Sequence, residues 1–321
     1  MNDDYLWNLS GPPDPDIERL ERALAPLRYG PRALAPPRPR PAVASPWRVA
    51  AAAGVILAAM ALWRFAVPAP AATPWQVSGI EGQARLGARA AAIDMAVPGG
   101  QTIQTGAAST LFLRAEDTGQ IDLGPDSVMH AASGRKIALE RGELHAFIWA
   151  RPGQFVVDTP SARAIDLGCE YTLSVDAAGN GRLRVSMGWV AFQFDGREAF
   201  IPAGAQCATR QRGGPGVPFF EDAPQPLRRA VGEFDAGDAR ALTAILRNAR
   251  VRDALTLWHL LPRVAGAERG AVYDRFAELV KLPPEVTRAA ALRADAHTLD
   301  LCWDALGLEN TEWWRGWERK W

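Results

Sequence analysis

The 321 residues carry 36 basic and 36 acidic side chains, with 48% apolar and 22% charged content. That composition belongs to folded protein, the length allows two or three compact units, and zero formal net charge argues against direct nucleic-acid binding. The three cysteines, Cys169, Cys207 and Cys302, lie far apart without a C-x-x-C pair, which argues against a zinc site.

The first element in chain order is a short helix within "PPDPDIERLERALAPLRYG". Asp14 is placed to cap it and Pro15 suits the first helical position. Ile17, Leu20, Leu24 and Leu27 fall at i, i+3, i+7 and i+10, forming one apolar stripe, while Arg19, Glu21 and Arg22 occupy other faces. A helix of about fifteen residues is marginal alone in water, so the stripe needs a partner. These four residues are the candidate partner-binding surface. The proline-rich "PRALAPPRPRPAVASP" that follows reads as an extended spacer.

Val49 to Val67 is apolar except for Arg64, and Trp47 and Trp63 bracket it. Nineteen residues at a rise of about 1.5 Å each approach the hydrocarbon thickness of a bilayer, and an arginine near the end can snorkel to the headgroups. The segment, with its flank residues 47–67, is therefore expected to be a retained transmembrane helix. Secretory signals begin near the N-terminus, unlike this one. Arg28, Arg32, Arg38, Arg40 and Arg48 precede the span, whereas beyond Arg64 the next basic residue is Arg85. The positive-inside bias puts residues 1–46 in the cytoplasm and the larger C-terminal part in the periplasm.

Residues 74–221 change character, to short alternating runs such as "TLFLRAE", "KIALERG", "ELHAFIW", "YTLSVDA", "RLRVSM" and "WVAFQF". Alternation over four to seven residues, punctuated by turns every eight to twelve, predicts an all-β unit, a sandwich or a solenoid. Asn180-Gly181 and Asp195-Gly196 read as two-residue hairpin turns. Residues 227–321 then show helical spacing in "DARALTAILRNA", "VRDALTLWHLL", "AERGAVYDRFAELVKL" and "DAHTLDLCWDALGL", predicting an all-α unit suited to contact with an envelope protein. The tail "NTEWWRGWERKW" reads as a helix packing its tryptophans on that unit.

The series "GQIDLGPDSVMH", "ALERGELHAFIW", "GQFVVDTPSARAIDLGCEYTLSVD", "RLRVSMGWVAFQF" and "FIPAGAQC" resembles the FecR domain in order and spacing. The best-matching points are Gly142, the strand Phe155 to Pro160, Gly168 and the turn Pro202 to Gly204. The resemblance implies a periplasmic sensor module on a single-pass protein that controls an extracytoplasmic-function sigma factor through its N-terminal segment. Two departures stand out: the N-terminal foldable region is only about thirty residues, and Cys169 stands where the family commonly has threonine. In an oxidising periplasm, Cys169 and Cys207 would be expected to pair as a disulfide.

No G-x-S-x-G elbow, H-E-x-x-H, P-loop or dinucleotide fingerprint is present. His130, His145, His259 and His297 are scattered without a carboxylate or cysteine at ligand spacing, and Glu140 and Glu143 read as turn residues beside Gly142. The expectation is a non-enzymatic chain with no catalytic, cofactor or metal site. The alternative to a sigma-factor regulator is a membrane-anchored periplasmic binding or scaffold protein without a transcriptional role.

Overall fold

A computed structural model describes residues 15–27 and 73–308, and the chain divides into two units, Met1–Pro68 and Ala69–Trp321. In the first unit, helix α1 (Pro15–Leu24) starts at the expected proline and ends in a 3-10 turn, Ala25–Leu27. The expected span Val49–Val67 and the tryptophan-rich tail lie outside the described residues. Among the described residues, no helix is long and apolar enough to cross a membrane.

In the second unit the chain forms β1 (Trp75–Glu81), β2 (Ala84–Leu86), β3 (Arg89–Ala90), β4 (Ala96–Val97), β5 (Thr102–Thr105) and β6 (Thr110–Ala115). Then come β7 (Gly119–Leu123), β8 (Val128–Ser133), β9 (Lys136–Ile148), β10 (Val156–Asp158), β11 (Arg163–Asp166) and β12 (Glu170–Val175). The last strands are β13 (Gly181–Met187), β14 (Trp189–Phe194), β15 (Arg197–Pro202), β16 (Ala205–Arg210), β17 (Gly214–Pro215) and β18 (Phe219–Phe220).

These strands make two sheets that share β9. The first runs β4-β1-β6-β7-β9-β12-β13-β16, with β17 and β18 on β16. The second runs β3-β2-β5-β8-β9-β10-β11-β14-β15. Every pair is antiparallel except β9 with β10. After β5 the chain winds between the sheets one or two strands at a time, so each turn of the winding adds to both layers. Period-2 alternation supplies the core between them: Leu111, Leu113, Ile121, Leu144, Leu173 and Leu183 are fully buried in the first sheet, and Ile103, Met129, Ile137, Leu139 and Val157 in the second.

The runs "KIALERG" and "ELHAFIW" are one thirteen-residue strand rather than two. Its first half pairs in the second sheet and its last half in the first. Gly142 sits at the changeover with φ +99°, and a Cβ there would overlap Ser127, so only glycine fits. Glu140 and Glu143 are therefore strand residues and not a turn. The Asp195-Gly196 turn is the two-residue hairpin expected, with positive φ at both positions. The other hairpin differs: Gly181 belongs to β13, and the loop is Asp176 to Asn180. The Asp176 carboxylate closes it, accepting from the Ala178 and Asn180 N–H groups and the Asn180 amide.

Among the described residues six helices follow: α2 (Gln225–Asp235), α3 (Ala241–Asn248), α4 (Ala254–Leu260), α5 (Gly266–Leu279), α6 (Arg288–Arg293) and α7 (Ala296–Ala305). Thr287 and Asp295 cap α6 and α7 with side-chain oxygens, as their residue types favour. The helices share a core with the sheets. Trp303 of α7 packs its ring 5.5 Å from Trp189 of β14, 5.8 Å from Phe200 of β15 and 4.7 Å from Trp258 of α4.

β15 ends the second sheet, and its outward backbone groups are satisfied by side chains from the helical part. The Phe200 N–H donates to His259 Nε2 at 3.0 Å, and Arg263 donates to the Glu198 carbonyl at 3.5 Å. His259 Nδ1 lies 2.8 Å from the Leu255 carbonyl, which fixes the proton on that nitrogen. Burial drives the His259 pKa down to about 3, so the ring stays neutral and can accept. On the other sheet, the Asp235 carboxylate takes the Val217 N–H. The helices thus cover the β15 edge and the segment between β17 and β18, where bare backbone groups would invite pairing with another chain.

Candidate functional site

The stripe on α1 is the first place with unsatisfied chemistry. Leu20 is 64% exposed and Leu24 50% exposed, and ion pairs Arg19–Asp16 and Arg22–Glu18 hold the polar side. Ile17 falls in the same helix and Leu27 in the 3-10 turn; their side chains lie outside the described ones. A ten-residue helix gains little from its own hydrogen bonds, so two exposed leucines on one face suit a protein partner.

The cysteines occupy different places from those expected. Cys169, Cys207 and Cys302 are all buried free thiols. The Cys169–Cys207 bridge is absent for a reason of register. Cys207 lies opposite Leu183 and Leu183 opposite Leu173, so Cys207 is two strands away and Cys169 four residues further along. That is about 10 Å across and about 13 Å along the sheet, far beyond the roughly 7 Å Cα separation a disulfide spans.

Cys169 instead donates its thiol to the Asp166 carboxylate, which also accepts the Gly168 N–H at 2.8 Å. Asp166 is 1% exposed, and burial pushes its pKa up to about 7 against the hydrogen bonds that favour its anion. Burial, with Asp166 beside it, raises the Cys169 thiol as well. Such a thiol is a structural group and not a nucleophile. Between 3.8 and about 7 the folded chain holds a proton on Asp166 that the unfolded chain releases. This carboxyl's contribution to stability is therefore complete at low pH and is lost as pH rises through 7. In urea unfolding, Asp166→Asn should gain on the wild type by on the order of 2–4 kcal/mol between about pH 4.5 and about pH 8. An equal difference at both pH values would contradict this.

The outer face of the first sheet is polar, with the outward residues of β12 and β13 being Glu170, Thr172, Ser174, Arg182 and Arg184. Cross-strand register brings carboxylates to both strand histidines, which the linear spacing had concealed. His145 Nε2 lies 3.0 Å from Glu170 of β12, and its Nδ1 lies 3.6 Å from Asp122 of β7. His130 sits 3.0 Å from Glu140 and 3.0 Å from the Thr102 hydroxyl. The signal was available in principle: Asp122 pairs directly with His145, and Glu170 with Phe147, once the strand order is known. Among the described residues no group of three or more His, Cys, Asp or Glu side chains could hold a metal.

Beside the histidine, a groove of about 790 Å³ crosses β9, β12, β13 and β16. Arg182, Arg184 and Arg210 line it with Thr172, Ser174 and Glu143. At the other end of β9, Phe147 and Trp149 are each 41% exposed and meet edge to face at 5.8 Å. The Trp149 Nε1–H donates to the Glu116 carbonyl, and Arg114 lies 5.4 Å from the indole ring.

Residues 101–190 match the FecR protein family. The FecR match runs from just before β5 into β14 and contains Gly142, the stretch Phe155–Pro160 around β10, and Gly168; the Pro202–Gly204 turn lies past its end. Two solved structures similar to this chain are crystal structures described as "a putative anti-sigma factor from Parabacteroides distasonis ATCC 8503", at 1.65 Å and 2.50 Å resolution. Each is 18% identical over 40% of this chain, with a TM-score of 0.34. The chain covers 62% of their length. No curated relative matches it. Within the matched segment, Gly142 and Gly168 sit where the chain passes between the sheets, whereas the aromatic pair is half-exposed to solvent.

Proposed function

We propose that this chain is a single-pass inner-membrane FecR-like sensor that regulates an extracytoplasmic-function sigma factor. The match of residues 101–190 to the FecR family carries this reading. In it, residues 1–46 lie in the cytoplasm, Val49–Val67 crosses the membrane, and the β and helical parts lie in the periplasm. The arginine excess before the span supports that orientation. The role is regulatory rather than catalytic. The α1 stripe holds the sigma factor, and a periplasmic signal changes the hold only to the extent that it binds the holding and releasing states with different affinity.

Leu20→Asp combined with Leu24→Asp tests the inside contact. Both side chains are exposed, so the change places two charges on the docking stripe without disturbing a core. Capture of a sigma factor by the full chain in a cellular pull-down should be abolished. Undiminished capture would refute the assignment of the stripe. A second reading, a membrane-anchored periplasmic scaffold without transcriptional output, draws on the shortness of the foldable N-terminal segment. Under it no sigma factor is captured by the wild type at all.

A further inference from the structure

We propose that the outer face of the first sheet binds an acidic oligosaccharide, with its arginine groove holding the acid groups and Phe147 and Trp149 forming a platform for a sugar ring. The groove is a sheet face whose central strands already have both neighbours, so an extended peptide cannot add to it as a strand does at an edge. Arg182 and Arg210 make no salt bridge among the described residues, although the Asp235 carboxylate lies near enough to Arg210 to feel its charge, and Arg184 only reaches Glu221 at 3.9 Å. Several other guanidiniums are neutralised, as in Arg163–Asp158, Arg250–Asp253 and Arg288–Asp274. Unpaired guanidiniums in a concave surface select carboxylate or phosphate groups, which they grip with two parallel hydrogen bonds.

The spacing and the companions of those arginines narrow the class further. Arg182 and Arg184 are two residues apart on β13, and Arg210 is diagonal to Arg182 across β16, since Arg182 faces Ala208. The charges are thus strung out in steps of about 7 Å, which suits acid groups distributed along a chain rather than one compact phosphate cluster. Glu143 and Asp176 also line the groove. Carboxylates repel a dense polyanion but accept hydrogen bonds from sugar hydroxyls, as Thr172 and Ser174 can from either side. Phe147 lies four residues from Glu143 on the same face of β9, about 13 Å along the strand. An exposed indole held in place by Glu116 and Arg114 presents a flat apolar surface of the kind that the C–H face of a pyranose covers.

The test is calorimetric titration of the purified full chain in detergent micelles with a short oligogalacturonate, an uncharged oligoglucoside of equal length, and polyglutamate. Oligogalacturonate should bind saturably, and more weakly at high salt. Arg182→Ala with Arg210→Ala should weaken it at least about tenfold, and Phe147→Ala with Trp149→Ala several-fold. All four side chains face solvent, and unchanged thermal unfolding verifies the fold of each variant. Arg182→Glu supplies a second, charge-reversing test that should abolish binding. Equal binding of the oligoglucoside or of polyglutamate, undiminished affinity in the arginine variants, or no saturable binding of oligogalacturonate would overturn the proposal. The titration needs no sigma factor, so its failure is separable from failure of the regulatory reading.

Discussion

Trp303→Ala is expected to destabilise the unit Ala69–Trp321 by about 3–5 kcal/mol, the range for deleting a fully buried aromatic side chain. Trp303 is 1% exposed and touches Trp189 and Phe200 from the second sheet as well as Trp258 from α4. The ring therefore joins helices and strands rather than filling one layer, and its loss leaves a cavity that neither layer can close alone. Because His259 and Arg263 also satisfy the outer edge of β15, the helices and the last strands should unfold together. Denaturant unfolding followed by far-ultraviolet circular dichroism and by tryptophan fluorescence should give one shifted transition by both probes. Two separate transitions, with the strands unaffected, would mean the helices are an independent module.

Gly188→Ala should cost about 3 kcal/mol or more, through the backbone and not through lost packing. Gly188 has φ +72°, where a side chain is strained, and a Cβ there would overlap the Gly168 carbonyl oxygen. The two glycines mark adjacent crossings: the chain enters the first sheet after Gly168 and leaves it at Gly188. The bond from Leu167 N–H to the Trp189 carbonyl at 3.2 Å stitches these crossings, and that from Ala203 N–H to the Gly188 carbonyl at 2.9 Å adds the next. Gly196→Ala is the control, since it shares positive φ at +74° but meets nothing within 4 Å. It should cost about 1 kcal/mol. Equal losses in the two variants, read from urea midpoints, would remove the steric argument.

The strands were legible because the pleat writes itself into the sequence: "YTLSV" and "RLRVS" alternate as their burial does. Gly142 and Gly168 were legible as fixed points of the FecR pattern. What the sequence concealed was everything set by which strand lies beside which. Alternation gives each residue a face but not a neighbour, so His145 looked isolated although Asp122 and Glu170 flank it. The same blindness produced the disulfide expectation, because Cys169 and Cys207 both point inward yet stand two strands apart. Nor did "KIALERGELHAFIW" reveal that one strand serves two sheets, since a glycine between alternating runs reads as a turn.

The helical region was legible as helices by its three-and-four spacing, but not as the cover of a sheet. Its polar contacts come from single residues, His259, Arg263 and Asp235, that carry no periodic signal. Trp303 reads from sequence as an apolar helix residue and shows its role only when β14 and β15 are beside it. On the functional side, spacing alone put Leu20 and Leu24 on one face of a helix, and both are exposed. The groove was not, because Arg182 and Arg210 are 28 positions apart and meet only through the pairing of β13 with β16.

We propose that the polypeptide lies on two sides of a membrane, with α1 inside and the FecR segment outside. Alkaline phosphatase, active only after export, fused after Arg28 and after Ala223, reads this directly. The fusion at Arg28 should be inactive and the one at Ala223 active. Activity of both, or of neither, would put the stripe and the FecR segment in one compartment and contradict it.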